Sequence, residues 1–315
     1  MNLKCLVTGV AGFIGSHLAE RLVAEGYEVI GADCFTDYYP RPMKERNLAG
    51  LRNSDRFRFV EADLRTADLA PLLEGVDYIF HQAAQAGVRA SWGENFAVYT
   101  ENNVLAIQRL LEAVKGREIA KFIYASSSSV YGDTPDLPMR EDSLPRPISP
   151  YGVTKLAGEH LCQLYHANFG TPTVSLRYFT VYGPRQRPDM AFHRFIRAIL
   201  EGRPITVYGD GEQTRDFTYI TDAVEANLLA MRHGSPGTIF NIGGGSRVTI
   251  NQAIGLLEKI IGKKAIVEYQ QPQHGDVRHT LADTSAARER LGFVPRVGLE
   301  EGLRAQVAWQ IVACE

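Results

Sequence analysis

Several features that would direct the interpretation are missing from this chain of 315 residues. Its four cysteines, Cys5, Cys34, Cys162 and Cys314, lie far apart, without the paired spacing of a zinc site or a small disulfide scaffold. We therefore expect free thiols in a reducing cytoplasm, and no metal site. The chain also lacks an apolar run of the ~18 residues needed to cross a bilayer. Met1 leads directly into a strand-like run and not into a basic and apolar leader. These absences predict a cytoplasmic protein without a membrane association.

The chain has almost no excess of charge of either sign. Its 34 Lys and Arg residues against 36 Asp and Glu leave a formal net charge of −2. This balance excludes a globally basic nucleic-acid binder, but it leaves room for a local basic pocket that takes an acidic small molecule. With 45% hydrophobic and 22% charged residues, the composition is typical of a globular protein with one large domain and a smaller companion.

A strand, a glycine turn and a helix are predicted at the start of the chain. The apolar run at 3–8 precedes Gly9, Gly12 and Gly15, and helical periodicity follows over 16–26. In a dinucleotide site the first glycine allows a tight turn, the second lets backbone approach a pyrophosphate, and the third lets helix pack closely on strand. The spacing is Gly-x-x-Gly-x-x-Gly and not Gly-x-Gly-x-x-Gly, so a purely structural turn stays open here.

The next predicted strand, at 27–33, ends in Asp33, where such folds bind the adenosine ribose hydroxyls. A carboxylate there would repel a 2′-phosphate, so NAD is favoured over NADP. Arg41 and Lys44 nearby leave some room for NADP, and a surface-capping role for Asp33 is the alternative.

Further strands at 57–61, 76–81 and 121–125 alternate with helices, a pattern that predicts an α/β fold. We expect a Rossmann-like, doubly wound parallel sheet whose ligands gather at the carboxyl ends of its strands. Asn103, within an amphipathic helix predicted at 102–114, is either polar filler or a clamp on backbone. The residues that follow two of these strands and would face the cofactor are Asp63, Leu64, Ala83, Ala84 and Gln85.

A serine-rich strand end at 126–129 is followed by a helix that opens at Ser149 and carries Tyr151 and Lys155. The Tyr-x-x-x-Lys spacing alone is weak evidence, but one helical turn places both side chains on the same face. A phenol with a pKa of about 10 needs nearby positive charge to act as a base near neutral pH, and Lys155 and the nicotinamide ring of NAD⁺ would supply it. Ser127 can share a hydrogen bond with a substrate hydroxyl. We therefore predict Tyr151, Lys155 and Ser127 as the catalytic residues.

Taken together, these motifs closely resemble the extended short-chain dehydrogenase/reductase superfamily, in its nucleotide-sugar epimerase/dehydratase branch. The landmarks span nearly the whole chain and include Gly9–Gly15, Asp33, Asp63-Leu64, His81–Ala84, Ser127, Val130–Gly132, Tyr151 with Lys155, Arg177–Phe179, Val181–Arg185, Tyr208–Gly211 and Arg215–Phe217. The resemblance implies a tightly held NAD, a nucleotide-diphosphate sugar as substrate, and transient oxidation at the sugar C4 by Tyr151. It assigns cofactor contacts to Gly9, Gly12, Phe13, Ile14, Gly15, Asp33, Asp63, Leu64, Ala83, Ala84, Gln85, Asn103, Tyr151, Lys155 and Tyr178.

Within that branch, the residues before Val130 distinguish the reactions. A nucleotide-sugar 4,6-dehydratase would present Asp-Glu there and a UDP-glucuronate decarboxylase Ser-Glu, whereas this chain has Ser128 and Ser129. Neither extra carboxyl is present, so the resemblance favours an epimerase.

The segment around Thr180 narrows the substrate. A hexose 4-epimerase usually has Asn after Arg-Tyr-Phe, whereas Thr180 and the residues that follow resemble UDP-glucuronic acid 4-epimerases, as do 85–89, with Arg89, and 91–93. A sugar carboxylate needs donors, which Ser127, Ser128 and Thr180 with the Arg187 guanidinium would provide; Arg185 is the competing candidate. These groups would also hold the carboxylate away from the geometry in which a 4-keto uronate loses CO₂.

The predicted function is thus the NAD-dependent conversion of UDP-glucuronate to UDP-galacturonate through a transient ketone. A UDP-glucuronate decarboxylase and a UDP-hexose 4-epimerase are the enzymatic alternatives. An NAD-binding regulator without catalysis is the non-enzymatic alternative, and the intact Tyr151, Lys155 and Ser127 argue against it.

The second half loses the regular alternation of strand and helix and resembles a smaller domain that closes on the nucleotide. We predict an NAD-binding domain at 1–179, to which 217–250 returns, and a substrate domain at 180–216 and 251–315. The family's dimer implies a homodimer through the helices at 102–114 and 150–169. Predicted substrate contacts are Arg89, Ser127, Ser128, Ser129, Thr180, Arg187, Phe192, Val207, Tyr208, Gln213, Arg215 and Arg278.

Overall fold

The protein is described by a computed structural model that covers residues 3–314, without the side chain of Cys314. The predictions on a leader at Met1 and on the Cys314 thiol lie outside the described residues. The strands are β1 Lys4–Thr8, β2 Glu28–Asp33, β3 Phe57–Glu61, β4 Tyr78–His81, β5 Lys121–Ser127, β6 Thr173–Tyr178, β7 Thr180–Tyr182, β8 Pro204–Tyr208, β9 Thr214–Tyr219, β10 Thr238–Ile242, β11 Arg247–Thr249 and β12 Ile266–Gln270. The α-helices are α1 Phe13–Ala24, α2 Arg41–Asn47, α3 Phe96–Thr100, α4 Ala106–Val114, α5 Pro150–Phe169, α6 Ala191–Glu201, α7 Ile220–His233, α8 Ile250–Ile261, α9 Ser285–Leu291 and α10 Leu299–Cys314.

Seven strands form one parallel sheet in the order β10-β6-β5-β4-β1-β2-β3. Val7 of β1 lies beside Gly31 of β2 on one side and beside Phe80 of β4 on the other. The inner strands are buried along almost their whole length, as expected for a parallel sheet covered by helices on both faces. This sheet confirms the predicted Rossmann-like, doubly wound α/β fold.

The order of the strands reverses between β1 and β4. From β1 the chain moves outward through β2 and β3, and then it returns to β4 and moves outward in the other direction through β5 and β6. At such a switch point the connections leave in opposite directions, which opens a crevice beyond the carboxyl ends of the strands. A dinucleotide site is therefore expected above Thr8 and His81, the last residues of β1 and β4.

Two helices differ from their sequence-based boundaries. Helix α1 begins at Phe13, three residues before the predicted start, so Gly15 belongs to its first turn. The helix predicted at 102–114 is longer, because α3, a π-helical turn at Glu101–Leu105 and α4 follow one another without a break. A π-helical turn inserts one extra residue into a helix and often marks a functional position.

The smaller unit is built from elements on both sides of β10. It contains a three-stranded sheet, β11-β9-β7, and a two-stranded sheet, β12-β8, against which α6, α8 and α10 pack. Between them the chain returns to the main sheet, where Thr238–Ile242 pairs in parallel with β6. The exact division at 179/180 and 216/217 stays a prediction.

Candidate active site

The glycine turn after β1 is too crowded for side chains. Gly9 has a φ of +68°, and a Cβ there would lie 2.7 Å from the backbone of Ala83. A Cβ on Gly15 would lie 2.2 Å from the Gly9 carbonyl oxygen. Gly12 precedes the first turn of α1 and has no side chain to cap it, so the N–H groups of that turn stay available to an anion. The turn therefore has the shape and the donors that a pyrophosphate requires.

One long groove runs from this turn across the carboxyl ends of the sheet, and we call it the cofactor groove. All predicted cofactor residues except Asn103 line it, namely Gly9, Gly12, Phe13, Ile14, Gly15, Asp33, Asp63, Leu64, Ala83, Ala84, Gln85, Tyr151, Lys155 and Tyr178. Further lining residues that the sequence reasoning did not single out are Cys34, Thr36, Tyr38, Tyr39, Arg65 and Gln82. Arg65 could have been found as the residue two beyond Asp63, with which it forms a 2.7 Å ion pair.

Asn103 is predicted to contact the cofactor, but it does not line the cofactor groove. It lies in the π-helical turn and is 2% exposed. Its Oδ1 accepts from the Gln85 N–H at 2.7 Å, and its Nδ2 donates to the Gln85 carbonyl at 2.8 Å and to Thr154 Oγ1 at 3.0 Å. Of the two interpretations of Asn103, the structure therefore supports the clamp, which fixes the loop after β4 against α5.

Asp33 lies at the adenosine end of the groove, as expected. Its Oδ2 accepts from the Ala11 N–H at 3.0 Å and its Oδ1 from the Phe35 N–H at 2.9 Å. Burial raises the pKa of this carboxyl, and these two bonds oppose the rise. The cations that could have accommodated a 2′-phosphate are engaged, since Arg41 forms a bidentate pair with Glu61 and Lys44 donates to the Thr36 carbonyl. This arrangement favours NAD over NADP.

Tyr151 and Ser127 meet at the other end of the groove. Ser149 caps α5 by accepting from the Gly152 N–H at 3.1 Å, which places Tyr151 in the first turn of the helix. Burial raises the pKa of the Tyr151 phenol, whereas a hydrogen bond with Ser127 and the nearby Arg187 guanidinium lower it. The phenol thus lies beside a hydroxyl and a cation, as a general base requires.

Lys155 is the second cation near this phenol. Its ammonium lies 4.7 Å from the centre of the Tyr124 ring, and burial lowers its pKa to about 8. Lys155 lines the groove and is 3% exposed, and its Nζ makes no hydrogen bond within residues 3–314. The sequence predicts Lys155 as the charge that stabilises the phenolate, and this role stays a prediction; Arg187 is a further cation, whose charge lowers the pKa of the Tyr151 phenol. The donors of Lys155 remain available to a ligand.

A buried polar network supports the strand end that carries Ser127. Arg177 and Glu159 form a 2.8 Å ion pair with side chains that are 2% and 1% exposed. Ser126 donates to Glu159, and Arg177 donates to Tyr131 Oη at 2.8 Å. Arg177 was visible in the sequence only as part of a motif. Its partner on α5, eighteen residues away in the chain, could not be found from spacing.

The serines beside this strand end lie together. The Ser127 Oγ accepts from the Ser129 N–H at 3.1 Å, and the Ser128–Val130 segment forms a short 3₁₀ turn. Thr180 begins β7 and is partly exposed, while Arg187 lies in the loop between β7 and α6 and lines the cofactor groove. Arg185, the competing candidate, points away and pairs with Glu20 at 2.8 Å.

The predicted nucleotide contacts form a second, basic cluster. Arg278 makes a bidentate pair with Asp210, with both distances 2.8 Å, and Arg89 pairs with Asp276 at 2.7 Å while its guanidinium lies 4.2 Å from the centre of the Tyr208 ring. Burial lowers the pKa of Arg215, which interacts with Asp276 and with the other two arginines.

Other predicted nucleotide contacts are less accessible. Phe192 and Val207 are core side chains, 1% and 2% exposed, so neither faces an open surface in this structure. The Nε2 of Gln213 donates to the Tyr208 carbonyl at 2.8 Å, but its buried Oε1 has no partner among the described residues. The contact of Phe192 and Val207 with the nucleobase of the substrate stays a prediction. The Oε1 of Gln213 remains available to a ligand as an acceptor.

The groove meets the requirements of a dinucleotide on three observations of this structure. The turn at Gly9 and Gly15 leaves no room for side chains, the first turn of α1 has free N–H groups, and the Lys155 ammonium has free donors. With Tyr151 and Ser127 beside it, this groove defines a dinucleotide-dependent oxidoreductase site of the Tyr–Lys type.

Comparisons with known proteins agree with this class. Residues 5–243 match the model of the NAD dependent epimerase/dehydratase family, and the chain belongs to that family. It is 42% identical over 310 residues to a UDP-glucuronate 4-epimerase of Thermodesulfobacterium geofontis, covering 96% of this chain and 95% of that protein. It is 48% identical over 311 residues to an uncharacterized UDP-glucose epimerase of Bacillus subtilis, covering 98% of both. Among solved structures, a UDP-glucuronic acid 4-epimerase from Bacillus cereus in complex with UDP-glucuronic acid and NAD matches with a TM-score of 0.97 and 47% identity, over 99% of this chain and 100% of that one.

Two of the sequence-based absences can be compared with residues 3–314. No helix within the described residues is long and apolar enough to cross a membrane. Over the same residues, no group of three or more His, Cys, Asp or Glu side chains is arranged to hold a metal ion. Cys5, Cys34 and Cys162 are free.

Proposed function

We propose that this protein interconverts UDP-glucuronate and UDP-galacturonate by epimerisation at the sugar C4, with NAD as its cofactor. The observation that carries the proposal is the composition of the site around Tyr151. Tyr151, Ser127 and Lys155 occur together, the Arg187 guanidinium acts on the phenol, and Ser128 and Ser129 occupy positions where a dehydratase or a decarboxylase would place a carboxyl group. The names of the relatives support the same reaction.

Tyr151 acts as the base that takes the proton of the C4 hydroxyl. Ser127, which is hydrogen-bonded to the phenol, orients that hydroxyl, and the positive charge of Arg187 favours the phenolate. When bound in the groove, NAD would supply reversible hydride transfer at C4, and return of the hydride to the opposite face of the ketone would give the epimer. Tyr151 then gives its proton back to the C4 oxygen, so the relay ends each cycle as it began. Lys155 has free donors beside this phenol and would bind the cofactor ribose.

The remaining polar groups hold the sugar carboxylate. A 4-keto uronate is a β-keto acid, which loses CO₂ when the breaking bond aligns with the carbonyl π system. Hydrogen bonds from Ser127, Ser128 and Thr180, together with Arg187, would fix the carboxylate near the plane of the ring and prevent that alignment. An epimerase of uronates needs this restraint, whereas a decarboxylase needs its absence.

The basic cluster of the smaller unit would bind the diphosphate and the nucleoside. Arg89, Arg215 and Arg278 converge there, and Gln213 Oε1 is a buried acceptor without a partner among the described residues. An anion that entered the cluster would compete with Asp276 and Asp210 for these guanidinium groups. We retain the division into an NAD-binding unit and a substrate unit on this basis.

The test is to incubate the purified protein with NAD and UDP-glucuronate and to separate the products chromatographically. We expect UDP-galacturonate, no release of CO₂, and loss of turnover in Tyr151→Phe, which keeps the ring and removes the base. Formation of a pentose nucleotide with CO₂ would instead identify a decarboxylase. Arg187→Ala should slow epimerisation and release CO₂, and no change in either would contradict the role of Arg187.

A UDP-hexose 4-epimerase is the second candidate, favoured by the similarity to the uncharacterized UDP-glucose epimerase of Bacillus subtilis. It predicts turnover of UDP-glucose with an unchanged pool of UDP-glucuronate. Measuring both sugars under the same conditions separates the two reactions, because only the uronate offers a carboxylate to Arg187.

A homodimer through α4 and α5 is also proposed. The two helices pack on each other, and apolar side chains are exposed on α5, with Val153 at 47% and Leu164 at 53%, and on the π-helical turn before α4, with Leu105 at 45%. Such a patch favours contact with a second copy. Light scattering should give twice the chain mass, and Leu164→Glu should lower it to one chain. A cytoplasmic location stays a proposal, supported by the free thiols of Cys5, Cys34 and Cys162.

A further inference from the structure

We propose that Asp189 is a positioning residue that orients Arg187 toward the substrate carboxylate. This inference rests on the proposed function of the site and concerns its selectivity for uronates. It follows from four features: a fixed loop, an ion pair that uses one edge of the guanidinium, a tyrosine that holds the carboxylate of that pair, and the place of Arg187 in the lining of the cofactor groove.

The loop that carries both residues is fixed by buried hydrogen bonds. The Gly183 N–H donates to Gln306 Oε1 at 3.0 Å, and the His193 N–H donates to Gln186 Oε1 at 3.0 Å. Gln186 is itself 2% exposed. The Met190 N–H closes a turn on the Arg187 carbonyl at 3.1 Å. The backbone on both sides of the ion pair therefore has a defined position.

The ion pair occupies one edge of the Arg187 guanidinium. Nε donates to Asp189 Oδ1 at 3.0 Å and Nη2 donates to Asp189 Oδ2 at 2.9 Å. A guanidinium has five N–H donors, so three remain: both on Nη1 and the second on Nη2. Nη1 makes no hydrogen bond within residues 3–314. One N–H of Nη1 and the free N–H of Nη2 form the end of the planar fork, which matches a carboxylate in bidentate geometry.

Tyr38 holds the other half of the pair. Its hydroxyl donates to Asp189 Oδ2 at 3.2 Å, and its ring centre lies 5.8 Å from the Arg187 guanidinium carbon. Tyr38 comes from the loop after β2, so the contact ties the Arg187 loop to the main sheet unit. Asp189 therefore has two partners that limit its movement, although it lies at the surface.

The donors of Arg187 that Asp189 does not use could be engaged by a ligand of the cofactor groove. Arg187 lines the same groove as Tyr151 and Tyr178, and its side chain is only 21% exposed. Its charge also acts on the Tyr151 phenol, which places the guanidinium near the reacting end of the groove. A carboxylate beside that phenol could accept from the free edge while the pair with Asp189 stays intact.

The alternative role for Asp189 makes the opposite prediction. If Asp189 only neutralised Arg187, its removal would free the cation and abolish the repulsion between two carboxylates, so a uronate would bind more tightly. If Asp189 orients Arg187, its removal lets the long side chain sample other rotamers and a uronate binds more weakly. The sign of the change in affinity therefore decides between the two roles.

The experiment measures the binding of UDP-glucuronate and of UDP-glucose to the NAD-loaded protein by isothermal titration calorimetry. Asp189→Asn keeps the shape and removes the charge. Asp142→Asn is the matched control, because Asp142 pairs with Arg140 at the same two-residue spacing, 3.1 Å from its Nε, on an exposed surface away from the groove. Tyr38→Phe is a milder second variant that removes only the donor to Asp189.

We expect Asp189→Asn to weaken UDP-glucuronate binding about tenfold, equal to about 1.4 kcal/mol, with UDP-glucose changed less than about twofold. Tyr38→Phe should give a smaller change in the same direction, and Asp142→Asn none. Tighter or unchanged uronate binding in Asp189→Asn would overturn the proposal, and so would equal weakening of both sugars, which indicates a structural role.

The failure of the proposed function is distinguishable from the failure of this inference. Wild-type protein that binds UDP-glucuronate selectively but does not epimerise it would refute the function and leave the inference intact. Wild-type protein without any preference for the uronate would refute the inference, even if it epimerised UDP-glucose.

Discussion

Replacing Lys155 with Met should make the protein more stable at neutral pH and inactive. Lys155 is 3% exposed, and burial lowers its pKa from 10.5 to about 8. At about 1.4 kcal/mol per pH unit, this difference means that the buried ammonium costs ~3 kcal/mol of folding free energy below pH 8. The attraction of the ammonium to the Tyr124 ring, worth about 1 kcal/mol, is lost in the variant. Met has a similar length and no charge, so we expect a net stabilisation of about 2 kcal/mol.

The lowered pKa of Lys155 also determines how the stability difference between the two proteins changes with pH. Between about pH 8 and about pH 10.5 the unfolded chain keeps the Lys155 proton while the folded chain has lost it, so the stability of the wild type rises with pH across this window. The Met variant has no such proton. Its advantage should therefore be largest below pH 8 and should disappear toward about pH 10.5.

Equilibrium urea unfolding of both proteins, freed of NAD, at about pH 7 and about pH 10 measures this difference. Lys263→Met is the matched control, because its ammonium lies at the surface on the Leu200 carbonyl, and we expect a change within about 0.5 kcal/mol. A Lys155→Met variant that is less stable than the wild type at pH 7 would refute the reasoning. So would an advantage of equal size at both pH values.

Arg177→Met should lower stability by about 3–5 kcal/mol in urea unfolding, because it leaves the buried Glu159 carboxylate without its partner. Asn103→Ala should cost about 1–3 kcal/mol and lower kcat/KM, since the loop N–H and carbonyl that it holds lose their partner. Gly15→Ala should abolish measurable NAD binding in calorimetry, because its Cβ would lie 2.2 Å from a carbonyl oxygen of the same turn. Gly255→Ala, on a helix with no atom within 4 Å of the added Cβ, should bind NAD normally.

Each of these outcomes can contradict the structure. An Arg177→Met protein as stable as the wild type would mean that Glu159 is not held by this pair, whereas replacing both residues by Met should restore most of the loss. Unchanged kinetics in Asn103→Ala would show that the loop is fixed by other contacts. Normal NAD affinity in Gly15→Ala would show that the cofactor does not rest on the glycine turn.

The sequence predicts well what depends on neighbouring residues. The strand, glycine turn and first helix follow from a short pattern, and so do the caps and the helical face that join Tyr151 to Lys155. Ligands of a parallel α/β sheet bind beyond the carboxyl ends of its strands. Asp33 and Ala83 follow or end such strands, so they could be assigned to the groove without coordinates. These predictions needed only local geometry and the direction of the strands.

Contacts between distant segments could not be predicted in the same way. Asn103 reaches Gln85 because a π-helical turn shifts it by one position, and hydrophobic periodicity does not detect such a shift. From the sequence, the aromatic side chain of Phe192 is a plausible contact for the nucleobase of the substrate. In the structure it packs inside the core, with its ring centre 4.6 Å from that of Phe217. An aromatic residue at a domain boundary suits a core and a ligand equally well, and only its neighbours decide between them.

If Tyr151 is the base, as proposed, the two cations of its site would respond differently to pH. Lys155 has a pKa of about 8, so its charge decreases as the pH rises through the range in which a phenolate forms more readily. An arginine keeps its charge throughout that range, and Arg187 acts on the phenol from the loop held by Asp189. A site with Lys155 alone would lose its positive charge as its base becomes available. In the proposed mechanism Arg187 would therefore serve twice, by favouring the phenolate and by offering its free edge to the substrate carboxylate.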